Sequence, residues 1–192
     1  MRPADPKKLT RILDAALVTV AEHGYQGSSV SRIARRAALS DGYLYRHFPG
    51  KQALFVHLYA YQLGQLYDYL ENRLAEEAYL ADFLRTAIRY LAQMARSQPS
   101  LFAFLFILDH QYAFPEPESV AERQRRLCHQ IKARGRQTGE IGTEVRPERI
   151  HLMMFGLPVG QIQLRQKGLF YDHGLDAQDI DYLVSVLLMS WM

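Results

Sequence analysis

The amino-acid sequence predicts an all-α protein with an N-terminal three-helix helix-turn-helix domain over residues 1–52 and a helical body over residues 53–192. Three observations carry that expectation. Apolar residues recur three and four apart from Leu9 almost to Trp191, the spacing of amphipathic helices, and no stretch alternates apolar and polar residues as a half-buried strand does. At 192 residues and 48% hydrophobic content, the chain has apolar material for one large or two small cores. Charge is divided as well: the first 52 residues carry nine Lys and Arg against four Asp and Glu, a balance of +5, and the other 140 carry fourteen against sixteen, or −2. Basic excess gathered on a small head is the electrostatic footprint of a phosphate binder.

In the head, Leu9, Ile12, Leu13, Ala16, Leu17, Val20 and Ala21 predict a first helix that Gly24 terminates. Ser28 or Ser29 caps a second, whose buried face is Val30, Ile33, Ala34 and Ala37. A three-residue turn, Ala38 to Ser40, leads to the segment SDGYLYRHFPGK. There Ser40 is the cap, Asp41 suits the first turn, and Leu44 and Phe48 share one face while Tyr43, Arg46 and His47 project elsewhere. An apolar anchor beneath hydrogen-bonding tips suits a helix lying in a DNA groove, and two short helices joined by a tight turn and backed by a third form a helix-turn-helix unit.

The body reads as helices throughout. One runs from Lys51 to about Leu74; another carries Leu80, Phe83, Leu84, Ala87, Ile88, Leu91, Ala92 and Ala95 and stops at Gln98-Pro99. An aromatic-rich segment, Leu101 to Tyr112, ends at Phe-Pro-Glu-Pro. Glu118 to Gln137 is charged outside, with Val120, Leu127 and Ile131 inward. After a loop at Gly139–Thr143, Pro147 opens a helix reaching about Gln166, kinked at Pro158. The last helix, capped by Asp176, repeats Ile180, Leu183, Val184, Leu187, Leu188 and Trp191.

The run from Ile12 to Phe55 closely resembles the N-terminal domain of the TetR/AcrR family of bacterial transcriptional regulators. The resemblance rests on Ala15-Ala16, Gly24-Tyr25, Ile33-Ala34 and the pattern Leu44-Tyr45-x-His47-Phe48-x-x-Lys51, in one order over some forty residues. It implies a DNA-binding head, a homodimer, a pseudo-palindromic operator on double-stranded DNA, and a body that binds a small-molecule effector. Two residues depart from the family pattern. Ala38 stands where glycine is usual in the turn, a substitution worth about 1 kcal/mol if φ is positive. Tyr43 stands where many members carry a small residue.

The candidate DNA-binding residues are Ser28, Ser29, Ser31, Gly42, Tyr43, Tyr45, Arg46, His47 and Lys51. Tyr43 and Arg46 are assigned to base edges. The resemblance assigns Tyr45 and His47 to phosphates. Lys51 opens a helix, where a cation opposes the macrodipole, so a bound phosphate explains its placement better than helix stability does. Aromatic surface with a few polar groups nominates Phe83, Tyr90, Phe106, Asp109, His110, Tyr112 and Phe155 for a ligand pocket. Met153, Leu157, Gly160, Leu164, Leu183, Leu187, Leu188 and Trp191 are nominated for a dimer seam, as the resemblance also implies.

Enzyme chemistry is not expected. The histidines have no metal-ligand spacing, there is no Gly-rich phosphate loop or nucleophile elbow, and neither catalytic residues, a metal nor a cofactor is called for. Cys128 is the only cysteine, and the longest apolar run, Leu101 to Leu108, is too short for a bilayer, so a cytoplasmic protein without membrane contact is expected. The resulting expectation is a repressor released from its operator by a small hydrophobic or aromatic effector, with a DNA-architectural protein lacking an effector as the alternative.

Overall fold

A computed structural model of the chain describes residues 5–106, 117–171 and 173–192. Ten α-helices appear among them: α1 (Pro6–Gly27), α2 (Val30–Arg36), α3 (Asp41–His47), α4 (Lys51–Glu76), α5 (Leu80–Ser97), α6 (Pro99–Phe106), α7 (Glu118–Gln137), α8 (Pro147–His151), α9 (Leu157–Gln166) and α10 (Ala177–Trp191). A π-helical turn, Leu152–Gly156, joins α8 to α9, and no strand occurs among the described residues. The chain forms two units, Met1–Leu63 with Ser100–Pro117, and Gly64–Pro99 with Glu118–Met192. The sequence-based boundary after Gln52 falls inside α4.

In the first unit, α1 starts on the Asp5 carboxylate, which accepts from the Lys7 amide at 3.0 Å. It breaks where Gly24 takes φ 65°, the left-handed region that glycine enters without strain. Of the two candidate serines, Ser29 caps α2, accepting from Arg32 N at 3.2 Å. Ser28 is buried and donates its hydroxyl back to the Gly24 carbonyl at 2.7 Å. Ile12, Leu13, Ala16, Val20, Ile33, Ala34, Leu44, Phe48, Leu54, Phe55 and Leu58 form the core. Phe104 of α6 adds to it, with its ring 6.1 Å from those of Phe55 and Tyr59.

In the second unit α5 buries one full face, from Leu80 to Ala95. Its own N-cap residue, Tyr79, has no capping side chain. Glu140 supplies the cap from a distant loop, its carboxylate accepting from Leu80 N at 2.8 Å, Ala81 N at 2.9 Å and the Thr138 hydroxyl at 2.5 Å. The kink expected at Pro158 takes the form of the π turn just before α9. Proline has no N–H for the carbonyl four residues back and its ring crowds that carbonyl, so widening the preceding turn accommodates both effects. The last helix starts in a capping box of Asp176 and Asp179. Asp179 also receives Arg165 of α9 at 2.7 and 2.9 Å, which ties α9 to α10.

Candidate nucleic-acid interface

Helix α3 is seated by Leu44 and Phe48, both buried in the first unit, and these two anchors turn its other face outward. Ser40 caps it, accepting from Tyr43 N at 3.2 Å. Tyr45 is 53% exposed, Arg46 is exposed and His47 half-buried. Apart from its chain neighbours and the backbone of its own helix, no atom lies within 4 Å of where a Cβ on Gly42 would stand, so the first turn of α3 offers bare backbone. The Tyr43 ring lies against His47, centroids 4.8 Å apart, and Lys8 Nζ stands 4.9 Å from its centre.

Other nominated residues have partners inside the protein. Ser31 donates its hydroxyl to the Asp41 carboxylate and so links α2 to α3. Buried Ser28 does not belong to the exposed face. Lys51 donates to the Tyr25 carbonyl at 2.9 Å, with its ammonium 4.1 Å from the centre of the Tyr25 ring, so the cation that opposes the α4 macrodipole is held by the end of α1.

The turn before α3 closes α2 with two bonds, Ala38 N to Arg35 O at 3.1 Å and Leu39 N to Ala34 O at 2.9 Å. This paired closure requires a left-handed residue at position 38, and Ala38 has φ 51°, the one non-glycine with positive φ among the described residues. Arg11 of α1 places Nη2 on the Ala37 and Ala38 carbonyls, the latter at 3.1 Å. The sequence reading did not single out Arg11 or Lys8. Both approach α3 or its turn from the far end of α1, and no local spacing reports that.

The nominated ligand residues do not form one described group. Phe83 is fully buried within the second unit's core, because it lies on the inward face of α5. Tyr90 is half-buried and stacks on Tyr69 at 4.0 Å, while buried Phe155 lies 5.0 Å from the His151 ring. Phe106 belongs to the first unit, against Phe102 at 5.2 Å. Asp109, His110 and Tyr112 lie outside the described residues. A cleft of about 270 Å³ between α4 and α7 is lined by Leu74, Ala133 and Arg134 among others, and by none of the nominated aromatics.

The seam nominations divide by helix face. Leu183, Leu187 and Trp191 are buried inside the protomer, since the apolar repeat of α10 points into its own unit, and they are unavailable to a partner. Leu157 and Leu164 are 41% and 40% exposed, with half-buried Gly160 between them and open space where its Cβ would stand. Met153, whose sulfur accepts from Ser190, and Leu188 are half-buried. The outward side of α10 carries Tyr182 and Met189, at 66% and 74% exposure, which the sequence reading passed over.

Two other groups in the second unit are committed to structure. Burial pushes the Cys128 thiol up to about 11, which leaves little reactive thiolate. His173, Asp176 and Asp179 bring potential ligand atoms within 4.8 Å of one another, but the Arg165 guanidinium and the Asp176 amide occupy the Asp179 carboxylate.

Residues 12–58 match the model of bacterial regulatory proteins of the tetR family. The chain is 30% identical over 172 residues to the fatty acid metabolism regulator protein of Bacillus subtilis (strain 168), spanning 81% of each protein. It belongs to the tetR family. Two solved structures share the fold: a TetR family transcription regulator from Marinobacter aquaeolei VT8 (TM-score 0.80, 24% identity, 99% of this chain and 98% of that one), and FadR from Bacillus subtilis in complex with stearoyl-CoA (0.73, 23%, 94% and 95%). As a tetR-family regulator the protein is a DNA-binding transcription factor and not an enzyme. None of the helices among the described residues is long and apolar enough to cross a membrane.

Proposed function

We propose that this tetR-family protein is a homodimeric repressor that reads a pseudo-palindromic operator with α3 and leaves it when a fatty-acyl effector, free or as a coenzyme A thioester, binds the body. The observation that carries the DNA half is the two-sidedness of α3: Leu44 and Phe48 fix it from below, and Tyr45, Arg46 and the backbone at Gly42 lie open above. Within that reading Arg46 and Tyr43 address base edges, and Tyr45, His47, Ser29 and Lys51 address phosphates. Lys51 must exchange its Tyr25 carbonyl for a phosphate oxygen to do so.

The effector class is drawn from the relatives, one described as a fatty acid metabolism regulator and one solved with stearoyl-CoA. A ligand lowers DNA affinity only to the extent that it prefers the conformation that does not bind DNA, and a tenfold preference corresponds to about 1.4 kcal/mol. A duplex selected by the protein from a randomised pool gives the probe. Fluorescence anisotropy with that duplex is then followed while palmitoyl-CoA, palmitate or coenzyme A is added. Release by palmitoyl-CoA or palmitate, and not by coenzyme A alone, is expected. Tight duplex binding unmoved by any of the three would favour a DNA-binding protein without a fatty-acyl effector.

A further inference from the structure

We infer that Arg11 is a positioning residue for operator reading: it holds the strained turn between α2 and α3 and thereby fixes where the reading side chains of α3 stand. The inference rests on the assignment of α3 to DNA. Helix α2 has only seven residues, too few to define its own end firmly, and its last carbonyls are closed by the Ala38 and Leu39 amides only while position 38 keeps its left-handed conformation. At its end Ala38 takes φ 51°, a conformation that costs an alanine more than a glycine. The two peptide oxygens on either side of that strained residue, those of Ala37 and Ala38, are the ones that the Arg11 guanidinium receives.

The clamp has a firm base. Ile12 and Leu13, next to Arg11 in α1, are buried, so the guanidinium projects from a helix seated in the core. A cation at the C-terminal end of α2 also meets the negative pole of that helix. A second tie runs from α1 to α2 through Glu22 and Arg36 at 2.5 Å, but it lies before the turn and leaves the angle of α3 unset. Across the turn, the Ser31 hydroxyl of α2 donates to Asp41 in the first turn of α3. Lysine in place of Arg11 would keep the charge, but its side chain is one bond shorter than the path to Nη2, the single nitrogen that meets both carbonyls.

The test uses the full-length protein, the duplex it selects from a random pool, and an unrelated duplex of equal length. Arg11→Ala should weaken the selected duplex about tenfold, or about 1.4 kcal/mol, while affinity for the unrelated duplex and the salt slope stay as in the wild type. Arg11→Lys should resemble Arg11→Ala on the selected duplex. Adding Ala38→Gly, which removes the strain that Arg11 offsets, should restore most of the loss. Parallel weakening on both duplexes with a salt slope reduced by about one would mean a phosphate contact and overturn the inference. So would an absence of rescue. Hydrogen exchange of the DNA-free protein gives a readout independent of any duplex: amides of residues 38–47 should exchange faster in Arg11→Ala and slow again in the double variant. Should the wild type select no duplex, the operator reading fails, and this exchange pattern still decides whether Arg11 holds the turn; unchanged exchange overturns it.

Discussion

At the scale of single residues, the sequence reports a conflict more readily than its resolution. That Ala38 stands where the tetR family favours glycine was legible through the family resemblance, and its positive φ bears out the conflict. Arg11, which meets that turn from 27 residues away, was not legible, because side-chain reach across a fold leaves no periodicity behind. In the wild-type background Ala38→Gly should raise unfolding free energy by up to about 1 kcal/mol, measured by urea denaturation with the slope unchanged. A loss of stability would show that the turn gains nothing from glycine's freedom. Lys51 poses a similar case: its place at the start of α4 suggested a phosphate, whereas in the DNA-free chain it is held by Tyr25. Lys51→Ala should weaken all duplexes and flatten the salt slope by about one, while Arg46→Ala should relax preference at a single base position. Equal slopes for Lys51→Ala and wild type would leave Lys51 as a tie between α1 and α4 alone.

Among elements, helix positions followed from apolar spacing and caps, and what joins them did not. Ser40 and Asp176 cap where the sequence placed them, and α4 and α9 end within two residues of expectation. The cap of α5 had no local signal, since Glu140 comes from sixty residues away. The π turn was visible only as a proline-dependent kink, because a proline announces a lost hydrogen bond without saying how the helix yields. Burial raises the Glu140 pKa, but the Thr138 hydroxyl and the two α5 amides outweigh it and hold the carboxyl below its ordinary range. A depressed folded value means that the contribution is present above the unfolded carboxylate value of about 4.3 and disappears as pH falls through the lower folded one. Glu140→Gln should therefore cost about 1 kcal/mol at neutral pH, as loss of a helix cap does, and the gap to wild type should narrow below about pH 4. A gap independent of pH would mean that the charge is immaterial.

For the molecule as a whole, the apolar repeat of α10 was legible as a stripe, but its direction was not. A repeat at helical spacing says that one face is covered and cannot say whether its own unit or a second copy covers it. Leu183, Leu187 and Trp191 are spent on the chain's own core, so the proposed dimer would have to use the outward residues Leu157, Gly160 and Leu164 on α9 with Tyr182 and Met189 on α10. Substitutions on the two sides should therefore fail differently. Leu187→Glu buries an unpaired charge at a fully buried site and should unfold the second unit, a cost of several kcal/mol. Leu157→Glu and Met189→Glu place the charge on the outer face and should leave the circular dichroism and melting of a folded protomer, while sedimentation shifts from dimer to monomer. Operator affinity should fall with the dimer, since two half-sites about 34–36 Å apart need two linked heads. Affinity for an unrelated duplex, which one basic head supplies, should fall much less. A wild-type chain that sediments as a monomer at micromolar concentration, or outer-face variants that remain dimers, would place the assembly surface elsewhere on the protein.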